Sequence, residues 1–353
     1  MSNAAFNIKF ALATTLSMFT VFSAPAETFE TISPVYFVDR TYASMEGPYS
    51  IAYVQIDAEE TPYLVWITGV RASVLDENLK PLSTDFFCHA NVDIRPERHK
   101  KEFDSTKQKS SRLFTLSQGN AELHFPNGFG IPVMSNEMLA VSTQALNHNL
   151  SPSGIRIRVK VSIDFIRASN LPKNASMTAL YSIPIQGLVL TSPQEKHHGS
   201  HHDAETIQEG ALGPRGMDVG SFPYKDNAGR TYSGHWFVPP GRQVNHTRVS
   251  SWLNLSSDVT VHYITLHVHP FAETVELRDL TIGEEVFHGK VKNLDSGTGL
   301  FSVDALTSRA GIVMFRGHDY ELITHYNNTS TKFQSAMSVM FLYARDDGLS
   351  GVR

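Results

Sequence analysis

Two histidines at His267 and His269 are the residues in this sequence best placed to do chemistry. They lie in V-T-V-H-Y-I-T-L-H-V-H-P, a run dense in β-branched and aromatic residues that reads as a strand. Successive side chains of a strand point to opposite faces, so the two imidazoles project from one face. Imidazoles held on one face of a rigid strand make a preformed pair of metal ligands. The alternative is that they decorate a half-exposed strand.

The strands that must position this pair fill most of the chain. From Val35 to about Pro193, Y-L-V-W-I-T-G-V, F-F-C-H-A-N-V-D-I, M-L-A-V-S-T-Q-A-L-N-H, I-R-I-R-V-K-V-S-I-D-F-I and I-Q-G-L-V-L stand out. Ile155–Ile166 alternates apolar and polar residues, as an antiparallel strand with one wet face does. Arg95–Lys109 is basic and polar and reads as a mobile surface loop. From Tyr232 the strands resume with H-W-F-V-P-P-G-R-Q-V, R-V-S-S-W-L-N-L, the His-x-His run and T-V-E-L-R-D-L, then A-G-I-V-M-F, D-Y-E-L-I-T-H-Y-N and S-A-M-S-V-M-F-L-Y-A-R. No helix of ordinary length is expected. The pattern is all-β, with two tandem antiparallel β-sandwich domains of jelly-roll type.

The expected boundaries follow from composition. Residues 1–26 read as a signal peptide, with Lys9 before an apolar core and Ala24-Pro25-Ala26 as the cleavage site. Export to the periplasm or beyond is expected, with the mature chain starting at Glu27. That core is too short to span a bilayer comfortably and no later run approaches the roughly 20 apolar residues a span needs. Residues 27–192 form the first sandwich and 231–353 the second. Between them, 193–230 is a polar, His-rich linker whose segment His197-His198-Gly199-Ser200-His201-His202-Asp203 is either a weak metal-binding tract or simply solvated. The formal net charge of -5 argues against a nucleic-acid partner. Cys88 is the single cysteine, so no intrachain disulfide forms and packing alone must hold both cores. There is no G-x-S-x-G and no convincing Ser/His/Asp grouping for a nucleophilic hydrolase.

V-P-P-G-R-Q-V, then H-Y-I-T-L-H-V-H-P and T-V-E-L, resembles the second domain of the copper type II, ascorbate-dependent monooxygenases, the peptidylglycine α-hydroxylating and dopamine β-type enzymes. G-H-D-Y-E-L-I-T-H-Y-N-N-T-S followed by Q-S-A-M-S-V-M-F-L-Y is similar too. The resemblance implies an oxygen-activating copper on His267, His269 and Met337. Two imidazoles and a thioether suit copper, since soft sulfur favours Cu(I) and imidazole suits both oxidation states. More softly, G-F-G-I-P-V-M and A-L-N-H-N resemble the first domain. There a second, electron-transferring copper is implied on Cys88, His89 and His148, with Cys88 replacing one histidine of an adjacent pair. The other reading of that set is a small buried thiol and two ordinary hydrogen-bonded histidines. The residues that anchor a peptide carboxylate in the amidating enzymes correspond to Thr265, Val339 and Phe341, none of them charged, so peptidylglycine is not the expected substrate. Met340 and Phe341 are expected to line a pocket or fill core. Two functions remain. One is a monooxygenase that uses O2 and a reductant to hydroxylate a C–H bond of an unidentified small-molecule or protein substrate, with one or two coppers. The other is an exported copper-binding or copper-delivery protein without turnover.

Overall fold

The computed structural model describes residues 26–42, 44–149, 154–190, 224–226 and 228–349. The expected leader and the His197–Asp203 cluster lie outside the described residues. Within them the chain is all-β, and every strand pairing but one is antiparallel. The strands form an 11-stranded sheet flanked by sheets of five, four and three strands among the described residues.

Two strands explain how the layers stack. Val259–Val268, the His-x-His strand, pairs along Gln334–Arg345, the Met337 strand. Both belong to the large sheet and both are buried on each face. Tyr263, Met337, Val339, Phe341 and Tyr343 enter the core of the first half, against Phe87, Val92, Leu113 and Phe114. Ile264, Leu266, Val268, Met340 and Leu342 enter the core of the second half, against Val275, Leu277, Leu322 and Tyr326. The near-continuous apolar runs are the signature of strands covered on two sides. The layers are therefore the four-stranded sheet, the large sheet and the five-stranded sheet. The two halves share a seam along one face of the His-x-His strand.

The deep end of that seam is aromatic. Tyr343 lies 4.9 Å from Phe125 and 6.0 Å from Phe114, ring centre to ring centre, and Tyr263 is 5.7 Å from Phe125. The Tyr343 hydroxyl donates to the Leu113 carbonyl at 2.9 Å, so the one polar atom of that ring is satisfied. Strand Thr178–Gln186 adds a second tie, pairing with Phe129–Met134 on one side and with the Met337 strand on the other. The sheet thus runs unbroken across the boundary drawn between the two sandwiches. The last part of the expected linker also carries structure: Tyr224–Lys225 is a strand pairing with Thr231–Ser233.

Two expectations are corrected. Arg95–Lys109 is not a mobile surface loop. Pro96–Phe103 is an α-helix with Pro in its first turn, Glu97 beside it and Lys100 and Lys101 in the last turn, where each charge suits the helix dipole. Arg98 bonds Glu137 at 3.0 Å, His99 is buried, and the Gln108 side-chain oxygen accepts from the Ser182 backbone at 2.9 Å. Eight residues are too few to display a helical period. The run R-V-S-S-W-L-N-L is not a strand either. The strand Gly241–Arg248 ends and Ser250–Leu253 makes one helical turn, closed by Asn254 in the left-handed region. The Ser250 hydroxyl, accepting from Tyr320 N at 2.8 Å and donating to Asp319, holds that turn.

One buried ion pair lies beneath the seam. Arg112 reaches Asp93, and also donates to Asn91 Oδ1 at 2.7 Å and Thr115 Oγ1 at 3.0 Å. Removing one partner of such a pair strands the other charge. Arg112→Leu should therefore lose about 3–5 kcal/mol in urea denaturation. Adding Asp93→Asn should recover part of that loss, and a single variant within about 0.5 kcal/mol of the parent would show that the pair is not structural.

Candidate metal centre

The register of three strands builds the centre. Val268 faces Ser338 and His267 faces Val339, so His269 stands beside Met337, whose carbonyl accepts from His269 N at 3.3 Å. Directly paired residues share a face, as do residues two apart. His267, His269 and Met337 therefore face the same way, into the seam. On the other edge of the Met337 strand runs His235–Val238, with His235 opposite Met337. His235, Met337 and His269 form one row across three adjacent strands. His235 was not marked by any motif in the sequence. It stands far upstream of the His-x-His pair, and only the strand register links them.

The ring positions are close. His267 and His269 are 5.8 Å apart between ring centres, His235 and His269 5.7 Å, and His89 and His267 6.3 Å. A metal–nitrogen bond of about 2.0–2.1 Å leaves the ion roughly 3.2 Å from a ring centre, so rings sharing an ion lie within about 6.4 Å. The three separations meet that condition, His89–His267 only at its limit. The donor atoms have not converged, however. Among the described residues, no three His, Cys, Asp or Glu donors of this centre lie within 4.8 Å of one another. Closing on an ion requires the rings to turn.

Hydrogen bonding decides which nitrogens are free. His269 Nδ1 lies 3.3 Å from both the carbonyl and the hydroxyl of Ser335, and when Nδ1 donates to the carbonyl Nε2 keeps its lone pair for a ligand. His267 Nδ1 is buried with no hydrogen-bond partner, as is His148 Nδ1. A buried orphan nitrogen is costly unless a ligand occupies it. The Tyr326 hydroxyl donates to the Met337 carbonyl at 2.7 Å and lies 3.3 Å from Met337 N, fixing the backbone that presents the thioether. These features fit copper at His267, His269 and Met337.

Electrostatics keep the imidazoles neutral. Burial pushes His267 down to about 3, helped by His235 and Arg112. Burial likewise holds His269 and His89 well below the ordinary value and brings His235 down to about 4. Neutral imidazole is the ligating form.

The first-half residues take different positions from a separate ligand set. His89 and Cys88 sit at a bulge in Phe87–Asp93, with His89 Nδ1 3.3 Å from Cys88 Sγ. Burial pushes the Cys88 thiol up to about 11, so in the metal-free protein it is the neutral thiol. The His89 ring lies against His267, across the seam. Next to His148, the Asn149 side chain ties this turn to Thr298 of the second half through two bonds of 2.8 and 2.7 Å. Cys88, His89 and His148 are not brought together as a three-donor group; His89 instead faces the second-half pair.

Thr265, Val339 and Phe341 lie deep in the seam, all essentially fully buried, with Asn120 of the first half donating to Thr265 Oγ1 at 2.7 Å. Phe341 and Met340 are core residues. Elsewhere, Glu276, Glu285 and His288 are the one group among the described residues whose donors do lie within 4.8 Å of one another. Arg278 bonds Glu276 at 3.1 Å, so part of that charge is already met.

No protein-family model matches the chain, and no curated protein matches it. Solved structures that align along it include PNGase F, a glycosylasparaginase from Flavobacterium meningosepticum, at 8% identity over 91% of this chain and 96% of that one, with a TM-score of 0.35. The STIV MCP aligns at 9% identity over 90% of this chain and 96% of that one, with a TM-score of 0.29. A second structure, of Sulfolobus Turreted Icosahedral Virus, gives 10% identity over 90% of each chain and a TM-score of 0.29. Similarity at this level carries no functional argument.

The depressed histidines make a pH prediction for metal-free protein. Unfolded histidines take up protons near pH 6.5, whereas folded His99 and His235 do so near 4 and His267 near 3. The unfolded state then binds more protons between about pH 6.5 and 4, so stability falls as pH drops through that window. Asp93, raised to about 6 by burial, acts in the opposite sense over a shorter range. The three histidines outweigh it. The urea midpoint should drop steadily from pH 7 to 4.5, and a midpoint that rose would contradict the burial of these rings.

Proposed function

We propose that this chain is an exported copper protein that holds Cu(I) between its two halves, with His267, His269 and Met337 as ligands. The observation that carries the reading is the common face of those three side chains, with His267 Nδ1 buried and unpartnered among them. Two uncharged imidazoles and a thioether favour a soft monovalent ion. A divalent ion would bring a second charge toward the buried Arg112, at greater electrostatic cost. Ser335 orients His269, Tyr326 holds the Met337 backbone, and the first-half sheet covers the face against water.

A second reading is a monooxygenase acting on a C–H bond. The observation favouring it is a cleft of about 250 Å³ beside the turn that follows His269, lined by Pro270, Phe271, Asn293, Thr298 and Asn327. It would offer a small substrate a place beside that turn. Copper on His267, His269 and Met337 would supply one-electron chemistry and a binding place for O2. The distinct first-half electron-transfer site that the resemblance implies is not part of this proposal, because the His89 ring lies against His267 across the seam, 6.3 Å between ring centres.

Titration of reduced metal-free protein with Cu(I) against a chromogenic competitor should give one tight equivalent per chain. His267→Ala with His269→Ala should abolish it, and Met337→His should shift preference toward Cu(II). A double variant that keeps the tight site would overturn the assignment. Ascorbate-dependent oxygen uptake above the rate of free copper would favour the second reading.

A further inference from the structure

We propose that His235 is a further copper ligand, so that the centre holds its ion with three imidazoles and one thioether drawn from three adjacent strands. The proposal rests on the copper reading above and adds a ligand that the His-x-His and Met337 pattern does not contain.

Three observations carry it. First, register places His235 directly opposite Met337, on the edge of the Met337 strand away from the His-x-His pair. Directly paired side chains stand about 4.5–5.5 Å apart at Cβ on one face, so the thioether is flanked by an imidazole on either side. Second, the His235 ring centre lies 5.7 Å from that of His269, no farther than His267 and His269 are from each other. Third, Trp236 and Val238 pack into the second-half core, so His235 and Phe237 share the opposite face, and of these two Phe237 is exposed. The alternation of this short strand therefore leaves His235 as the residue it turns into the seam.

The local backbone is shaped to allow this. Gly234 runs so close to the Gln186 side-chain amide that a Cβ there would overlap it. The Ser233 hydroxyl spans the same turn, accepting from His235 N at 3.1 Å and donating to the His235 carbonyl. These contacts bring the strand against Gln186 and fix the direction in which His235 leaves it. Unlike His267 and His269, His235 is only part-buried. It stands at the lip of the seam and would be the first of the three imidazoles that an entering ion meets.

The test uses the full chain, with Cu(I) as the probe. His235→Ala and His235→Gln are compared with the parent and with His267→Ala. Each is measured for Cu(I) affinity by competition and for nitrogen and sulfur neighbours by X-ray absorption on the reduced, loaded protein. Metal-free melting curves confirm that the variants fold; His235→Gln keeps a polar side chain of similar reach if the alanine variant does not. The expected result is three nitrogens and one sulfur in the parent. Both His235 variants should show two nitrogens with the sulfur retained, and affinity lowered roughly 100-fold, at or beyond the upper end of the loss from an outer hydrogen-bond partner. Free imidazole should restore the third nitrogen in His235→Ala. A folded His235 variant with the parent's affinity and three nitrogens would overturn this proposal while leaving the copper reading intact. A parent that binds no tight copper, or whose site ignores His267→Ala, would overturn both.

Discussion

The structure depends on one pair of strands being covered on both faces. Val259–Val268 and Gln334–Arg345 sit in the middle layer, and alternation assigns each of their residues to one half of the molecule or the other. A side chain sent into such a seam has no water to fall back on, so any polar atom needs a partner. Most have one: Tyr343 donates to Leu113 O, and Thr265 accepts from Asn120. Moving along the seam from Tyr343 through Phe341 and Val339 to Met337, the lining changes from aromatic to aliphatic to thioether. Imidazoles gather at that last end. The seam is dry packing at one end and a set of electron-pair donors at the other, and the same alternation makes both.

Charge at the donor end is set from below. Arg112 is a fixed cation near His89 and His267, matched by Asp93 and by neutral oxygens of Asn91 and Thr115. With the cation pinned, protonation of any nearby imidazole would add like charge in a poorly solvated place, and burial already opposes it. The rings consequently stay neutral well into acid. Cys88 follows the same rule in reverse: without a cation at hydrogen-bond distance to stabilise a thiolate, burial keeps the proton on sulfur. In the metal-free protein the donor end thus offers lone pairs but no negative charge.

Much of this was legible in the sequence, and the rest was hidden for physical reasons. Strand positions followed from β-branched runs, and the common face of His267 and His269 followed from period two. What period two cannot reveal is which face looks outward when both are buried, since V-T-V-H-Y-I-T-L-H-V-H reads as apolar on each side. The shared seam was therefore invisible: nothing in the sequence signals that one sheet joins the two tandem sandwiches. His235 escaped notice because its relation to Met337 is a matter of register between distant strands. The helix Pro96–Phe103 escaped because its polar surface and short length resemble a loop, although Pro96, Glu97 and the two lysines are ordinary helix-end signals.

The direction of access follows from the same geometry. Residues corresponding to the peptide anchors of the amidating enzymes, Thr265, Val339 and Phe341, lie on the deep side of His267, where Asn120 and the aromatic cluster leave no room for a ligand. The more exposed end of the seam is the opposite one, at part-buried His235 and the turn after His269. That turn is specified in detail. Phe271 adopts a φ of 72°, a strained conformation for a residue with a side chain. It is held there because Asn293 Oδ1 accepts from Phe271 N at 2.6 Å, Asn293 Nδ2 donates to Ala272 O at 2.8 Å, and Asn327 N donates to Phe271 O at 2.8 Å. Strain maintained by three hydrogen bonds at the mouth of a donor-rich seam fixes the shape of that mouth. A carrier and an oxygenase would both use this entrance, and they would differ in what the cleft beyond Pro270 admits.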